Sequence, residues 1–245
     1  MKTFDFIIVG GGTSGTVTTE KLVSQGHSVL LLEEGHKNRN PFLSMPAGWL
    51  TLLDGSPYLK FYKSTPQAQL NNRQHDIAQA KILGGGSSVN AMVYMRGKPS
   101  DYENWVKKTS DQRWGWESLL QNYKRLEGNQ RLSGDFHGKD GPIKVSDPGY
   151  VAKGSKLYIE AMQNLGLPYN DDFNDGDQYG VGLMQYTIGD LKRSDTVSTL
   201  IEPLINNKNI TIHLNSIVTK VIIENKKAVG VEVVNKGKVE NFYGK

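Results

Sequence analysis

Six residues near the N-terminus, Gly10-Gly11-Gly12-Thr13-Ser14-Gly15, constrain this chain more than any others. They satisfy GxGxxG at Gly10, Gly12 and Gly15, and their flanks complete the pattern. Before them, FDFIIV is a short apolar run rich in branched residues, as expected of a strand buried on both faces. After them, residues 13–25 predict a helix with Val17, Leu22 and Val23 apolar, and Gly26 is a fitting stop. Ser28 to Leu32 predicts a second buried strand. Strand, glycine turn, helix and strand make a βαβ unit, so the class is α/β with parallel strands. Each glycine has a physical task in such a unit. Gly10 turns the chain out of the strand, Gly12 lets backbone approach a pyrophosphate, and Gly15 lets the helix pack closely on the sheet. The helix start then offers free N–H groups and a positive dipole to phosphates. Glu33 stands 18 residues after Gly15, where a carboxylate can accept both ribose hydroxyls of an adenosine. Glu34 is its neighbour, but Glu33 directly follows the apolar run and is preferred. An acid here, not an arginine, disfavours a 2′-phosphate. The motif does not distinguish FAD from NAD.

Composition removes several alternatives. The 245 residues suffice for one large domain or two small ones with a sizeable core. Cysteine is absent, which excludes a disulfide, a thiolate metal site, a cysteine nucleophile and a flavin disulfide reductase. The net charge is +4 with scattered basic residues, and no basic stripe or motif points to nucleic acid. No stretch approaches the ~20 apolar residues of a membrane span, and no leader precedes the first strand, so a cytoplasmic location is expected. The histidines His27, His36, His75, His137 and His213 show no metal-ligand spacing. Asp171-Asp172 lies in PYNDDFND, which lacks the distal glutamate of a calcium loop and reads as a polar turn. Trp105, Trp114 and Trp116 are expected to pack in the core.

Further along, residues 35–80 look irregular, with Pro41, Pro46, Pro57 and Pro66, and suit a cover or binding loop. Helical spacing predicts helices at 116–126 and 153–165. From Ile210 on, the runs ITIHL, VTKVIIE, AVGVEVV and KVENFY are separated by turn residues and read as an antiparallel meander. A second glycine cluster sits in AKILGGGSSVNAMVYMRGKPSDYE, residues 80–103. By itself it reads either as a glycine loop before a core strand or as a close approach to a planar or anionic group, with hydrogen bonds from Ser87, Ser88 and Asn90.

That stretch closely resembles the first signature of the GMC (glucose–methanol–choline) oxidoreductases, FAD-dependent alcohol oxidases and dehydrogenases. Ala80, Lys81, Leu83, Gly84, Gly85, Gly86, Ser87, Val89, Asn90, Tyr94 and Gly97 fill the pattern in order. VLLLEEG, STPQ, DYENW, FHGKDGPIKVSDP, LKRSDTVSTLIEPL and the 210–233 meander resemble further segments of the family, so the likeness spans essentially the whole chain.

The resemblance implies a Rossmann-like FAD-binding domain, a parallel sheet with an antiparallel β-meander crossover. It covers 1–245, with a cover loop at 36–80 and part of a substrate-domain insertion at about 145–195. By position, Gly10, Gly12, Thr13, Ser14 and Gly15 should hold the pyrophosphate, and Glu33 the adenosine ribose. Leu83, Gly84, Gly85 and Gly86, with Asn90, Ala91, Met92 and Val93, should line the pyrophosphate and flavin. Val218 should meet adenine. Some members attach the flavin through a histidine where this chain has Val89, so non-covalent FAD is expected. The implied substrate is a small-molecule alcohol, with choline nearest, and the electron acceptor is left open. The family's catalytic histidine lies near the C-terminal end of chains roughly twice this long. The domain is therefore expected to be incomplete at its C-terminus, and no catalytic residue is nominated. Two other readings stand beside this one: a catalytically inactive FAD-binding fragment, and an NAD-dependent dehydrogenase, against which the second motif and the meander argue.

Overall fold

A computed structural model of the chain describes residues 3–37, 40–52 and 55–245. Residues 38, 39, 53 and 54 of the expected cover loop lie outside the described residues, as do residues 1 and 2. The chain begins with β1 (Thr3–Phe4), β2 (Phe6–Val9), α1 (Thr13–Ser24), β3 (Val29–Leu32), α2 (Pro41–Ser44), β4 (Leu59–Lys63) and β5 (Asp76–Ala80). It continues with β6 (Val93–Tyr94), α3 (Pro99–Thr109), α4 (Trp116–Leu126), β7 (Glu127–Asn129), β8 (Ile143–Val145), α5 (Lys153–Asn164), β9 (Gln185–Tyr186), β10 (Ile188–Gly189) and β11 (Lys192–Arg193). The last strands are β12 (Ile210–His213), β13 (Ser216–Glu224), β14 (Lys227–Asn235) and β15 (Lys238–Gly244). Two compact units result: Met1–Ala91 with Asp195–Lys245, and Met92–Ser194.

In the first unit, β2 and β3 are parallel, with Phe6 opposite Val29 and Val9 opposite Leu32. All four residues of β3 are buried, and its alternating side chains divide between two cores. Leu30 and Leu32 join Phe4, Val231 and Val233 on one face. Leu31 joins Leu83, Val197 and Ile201 on the other. That two-sided burial explains a purely aliphatic VLLL with no polar alternation. Gly26, at φ +87°, ends the α1 segment in the left-handed conformation that glycine adopts without strain.

One strand expected in the meander lies elsewhere. Residues 210–213 are not the first strand of the meander. β12 lies parallel to β3, Ile210 opposite Val29 and His213 opposite Leu32, and completes a three-stranded parallel sheet in the order β12-β3-β2. Ile210, Ile212 and Leu214 pack on the Leu31 core, so apolar contact holds the strand there. The meander is β13, β14 and β15, antiparallel throughout, and β1 adds to it parallel to β15.

Residues 35–80 are also more ordered than their prolines suggest. β4 and β5 form an antiparallel ribbon, Phe61 opposite Ala78 and Tyr62 opposite Ile77. Both strands are largely exposed, so the ribbon rests on cross-strand pairing more than on burial. In the second unit, Trp105 and Trp114 are not core residues. They stay 47% and 45% exposed, stacked edge to face at 5.9 Å.

Candidate functional site

The first glycine turn and Glu33 meet at the carboxyl ends of β2 and β3. Gly10 takes φ +94°, and a Cβ built there would meet nothing within 4 Å, so the turn faces open space. A Cβ on Gly15 would collide with the Gly10 carbonyl oxygen, which accounts for glycine at that position. The first helical bond of α1 runs from Thr16 N–H to the Gly12 carbonyl at 2.9 Å. The N–H groups of Thr13, Ser14 and Gly15 precede it and are the donors a phosphate would take.

Glu33 is 7% exposed. Its Oε2 accepts from Gly11 N–H and its Oε1 from Gly35 N–H, both at 2.7 Å. A carboxylate has about four lone-pair sites, so each oxygen keeps one for a further hydroxyl. Burial pushes the Glu33 pKa up, against those two N–H groups. Glu34 points elsewhere, to Lys81 at 3.1 Å and Lys60 at 3.3 Å.

The second glycine loop lies against the first. Gly84 N–H donates to the Gly11 carbonyl at 2.7 Å, and a Cβ on Gly85 would fall 2.6 Å from Gly12 Cα. Only glycine permits that approach. Between these loops and the start of the meander is a cleft of about 310 Å³. Gly10, Gly12, Glu33, Gly85 and Val218 line it, with Val9, Glu34, Ala80 and Ser216. Its volume is at the lower end of small-molecule sites, which run from about 300 to 1,000 Å³. The cradle fits the pyrophosphate and adenosine ribose of a dinucleotide such as FAD: glycine faces where phosphate would lie, helix-start N–H groups with no hydrogen bond among the described residues, and a carboxylate with spare lone pairs.

Of the expected residues, Thr13, Ser14, Gly15, Leu83, Gly84, Gly86, Asn90, Ala91, Met92 and Val93 are not in the lining of this cleft. Leu83 is 3% exposed and belongs to the Leu31 core. Asn90 and Ala91 are exposed, while Met92 and Val93 belong to the second unit. Met92 is buried with φ +63°, unusual for a non-glycine residue, and its carbonyl accepts from Thr187 N–H at 2.8 Å. Sequence reasoning passed over Ala80 and Ser216 as cleft residues. Both are small residues at strand ends; Ala80 opens the glycine signature without a role assigned to it, and Ser216 has no local signal.

The second unit has a buried ionic cluster of its own. Glu127 accepts from Arg96 Nη2 at 2.7 Å, Asn129 Nδ2 at 2.8 Å and Gly138 N–H at 3.0 Å. His137 bridges Glu127 through Nδ1 and Asp172 through Nε2, both at 2.8 Å. The PYNDDFND turn therefore sends Asp172 inward. Burial disfavours the imidazolium, but the bonds to Asp172 and Glu127 outweigh it and push the His137 pKa up to about 9. Burial likewise works against both carboxylates, yet their hydrogen bonds from His137 hold each below its ordinary pKa.

These shifts fix the sign of a pH profile. The imidazolium's contribution is complete below its ordinary pKa of 6.5 and is lost as pH rises through about 9. The carboxylate contributions are complete above their ordinary values of 4.5 and 3.8 and are lost on acidification. Urea midpoints read by tryptophan fluorescence should decline from pH 6.5 to 9.5, and His137→Gln should flatten that limb. A wild-type profile flat across the range would remove the charged His137 from the account.

Among the described residues, no group of three or more His, Asp or Glu is placed to hold a metal ion. No described helix is long and apolar enough to cross a membrane.

Comparison with known proteins bears on the whole chain. The family profile described as GMC oxidoreductase matches residues 4–244. An alcohol dehydrogenase (acceptor) of Pseudomonas putida is 37% identical over 236 residues, 95% of this chain and 42% of that protein. An oxygen-dependent choline dehydrogenase of Photobacterium profundum is 34% identical over 245 residues, 98% of this chain and 43% of that protein. Among solved structures, pyridoxine 4-oxidase from Mesorbium loti superposes with a TM-score of 0.93 at 33% identity, covering 99% of this chain and 48% of that one. A FAD-dependent oxidoreductase from Chaetomium thermophilum gives a TM-score of 0.89 at 30% identity, covering 99% of this chain and 44% of that one. The chain thus spans less than half the length of these relatives.

Proposed function

The chain belongs to the GMC oxidoreductase family, whose cofactor is FAD, and from that premise we propose that it binds FAD non-covalently as part of an oxidoreductase acting on the CH–OH group of a small alcohol. The observation that carries this reading is the convergence of both glycine loops and Glu33 on one cleft. In it, Gly10, Gly12 and the N–H groups of Thr13, Ser14 and Gly15 hold the pyrophosphate. Glu33 accepts the ribose hydroxyls, and Val218 borders the adenine. Gly84, Gly85 and Gly86 let the second loop come up to the cofactor, with Leu83 anchoring that loop in the core and Asn90 and Ala91 following it. Residues 36–80 cover the cofactor, and about 145–195 form part of the substrate domain. Bound FAD supplies the hydride acceptor for the alcohol carbon. The resemblance to a choline dehydrogenase makes choline the first substrate to try.

A second reading is that the 245-residue chain binds FAD without oxidising alcohols by itself. It is favoured by the 42–48% share of its relatives that the chain covers.

One experiment addresses both. Purified protein incubated with FAD and desalted should be yellow, and denaturation should release the flavin. Glu33→Ala should lower FAD retention about tenfold or more, since the ribose loses its carboxylate acceptor. Unchanged occupancy in that variant would sink the role given to Glu33. Adding choline or a primary alcohol under anaerobic conditions should leave the flavin of this chain oxidised. Bleaching would overturn the second reading and show a competent active site.

A further inference from the structure

Thr196 and Thr16 are 180 residues apart in sequence, yet their hydroxyls lie 2.8 Å from one another. Both residues are buried, at 3% and 0% exposure. On its other side, Thr196 Oγ1 is 3.0 Å from Ser87 Oγ, and Thr196 N–H donates to that same oxygen at 3.2 Å. Ser87 Oγ donates to the Gly84 carbonyl at 2.7 Å.

Each hydroxyl carries a single proton. With the Ser87 proton committed to Gly84, Ser87 accepts from Thr196. Thr196, having donated, accepts from Thr16, which shares its one proton between Thr196 at 2.8 Å and the Gly12 and Thr13 carbonyls at 3.0 and 2.9 Å. From Thr196 the bonds run through Ser87 to the Gly84 carbonyl, and Thr16 ties that chain to the first glycine loop. Gly84 N–H then closes the circuit on the Gly11 carbonyl at 2.7 Å. Helix α1, both glycine loops and the residue preceding the 197–201 turn share one ring of hydrogen bonds. Where the loops touch there is no room for a side chain, since a Cβ on Gly85 would fall 2.6 Å from Gly12 Cα.

We propose that Thr196 is a positioning residue for the cofactor cleft: its hydroxyl fixes the second glycine loop against the first, so that the cradle is formed before FAD arrives. This rests on reading the cleft as the FAD site. A preformed cradle spares binding the cost of ordering two loops, so loss of the link appears as loss of affinity.

The test uses the 245-residue chain and FAD, with affinity from flavin fluorescence, binding geometry from visible circular dichroism, and the melting temperature of the FAD-free protein. Thr196→Val keeps the shape and removes the hydroxyl. It should raise the FAD dissociation constant about tenfold and alter the visible dichroism. Thr196→Ser restores the hydroxyl and should return both toward wild type. Ser87→Ala breaks the same circuit at a less buried point and should weaken binding similarly, whether or not Thr196→Val folds. Thr19→Val is the control. Thr19 is fully buried on the same helix, and its hydroxyl has no hydrogen-bond partner among the described residues. It should leave affinity unchanged. Wild-type affinity and dichroism in Thr196→Val, or in Ser87→Ala if Thr196→Val does not fold, would overturn the proposal. An equal loss of affinity in Thr19→Val would do the same. A wild-type chain that takes up no FAD would instead overturn the cofactor reading beneath it.

Discussion

Gly15→Ala should abolish FAD uptake and destabilise the first unit by about 3 kcal/mol. The added methyl would enter the van der Waals sphere of the Gly10 carbonyl oxygen, with the Gly10 carbonyl carbon at 3.1 Å and Ile8 Cγ2 at 3.3 Å. The obstructing oxygen is backbone, at the end of a strand held by its neighbour β3. It cannot rotate away as a side chain would. Relief requires α1 to move off the sheet, and that carries the phosphate-facing N–H groups with it. Gly86→Ala is the comparison for stability, since a Cβ there meets nothing within 4 Å. Thermal melts of the two FAD-free variants should differ by many degrees. Equal melting temperatures would show that α1 is not packed against β2 as described.

Glu127→Gln should cost the second unit about 3–5 kcal/mol, the range for breaking one partner out of a buried ion pair. The Glu127 side chain is 0% exposed and Arg96 opposite it is 1% exposed. Each carboxylate oxygen accepts two bonds, from Asn129 and His137 at Oε1 and from Arg96 and Gly138 at Oε2; the amide keeps one acceptor oxygen and turns its NH2 on the other pair of donors, with no charge left opposite Arg96. At a urea slope of about 2 kcal/mol/M, the midpoint should fall by about 2 M. Three of the four tryptophans, Trp105, Trp114 and Trp116, lie in Met92–Ser194, so fluorescence reports mainly on that unit. A midpoint within a few tenths of wild type would mean that the cluster is solvated and adds little.

Much of the first unit was legible without coordinates. GGGTSG, the VLLL run and Glu33 are local signals. Turn chemistry, helix start and aliphatic burial are each decided within about 10 residues, and the expected boundaries of α1 and β3 differ from those found by one residue at most. The helices at 116–126 and 153–164 followed from helical spacing for the same reason. The placement of ITIHL did not, because a strand's own sequence fixes its periodicity and leaves its partner open. Whether Ile210–His213 joins β13 or β3 is decided by apolar contact with Leu31, distant in sequence. The β4–β5 ribbon leaves no such mark in the sequence, because exposed strands lack the alternation that burial imposes.

The parallel α/β beginning, the two glycine loops, the acid that follows β3 and, through a resemblance, a FAD family can be read from the residues in order. Those depend on residue type at short spacing. Folding in three dimensions is what makes the loops touch at Gly12 and Gly85, links Thr16, Thr196 and Ser87 in one circuit, and holds His137 between Glu127 and Asp172. A hydroxyl or an imidazole has no sequence periodicity that announces its partner. Its role comes from which distant atoms the folded backbone brings within about 3 Å.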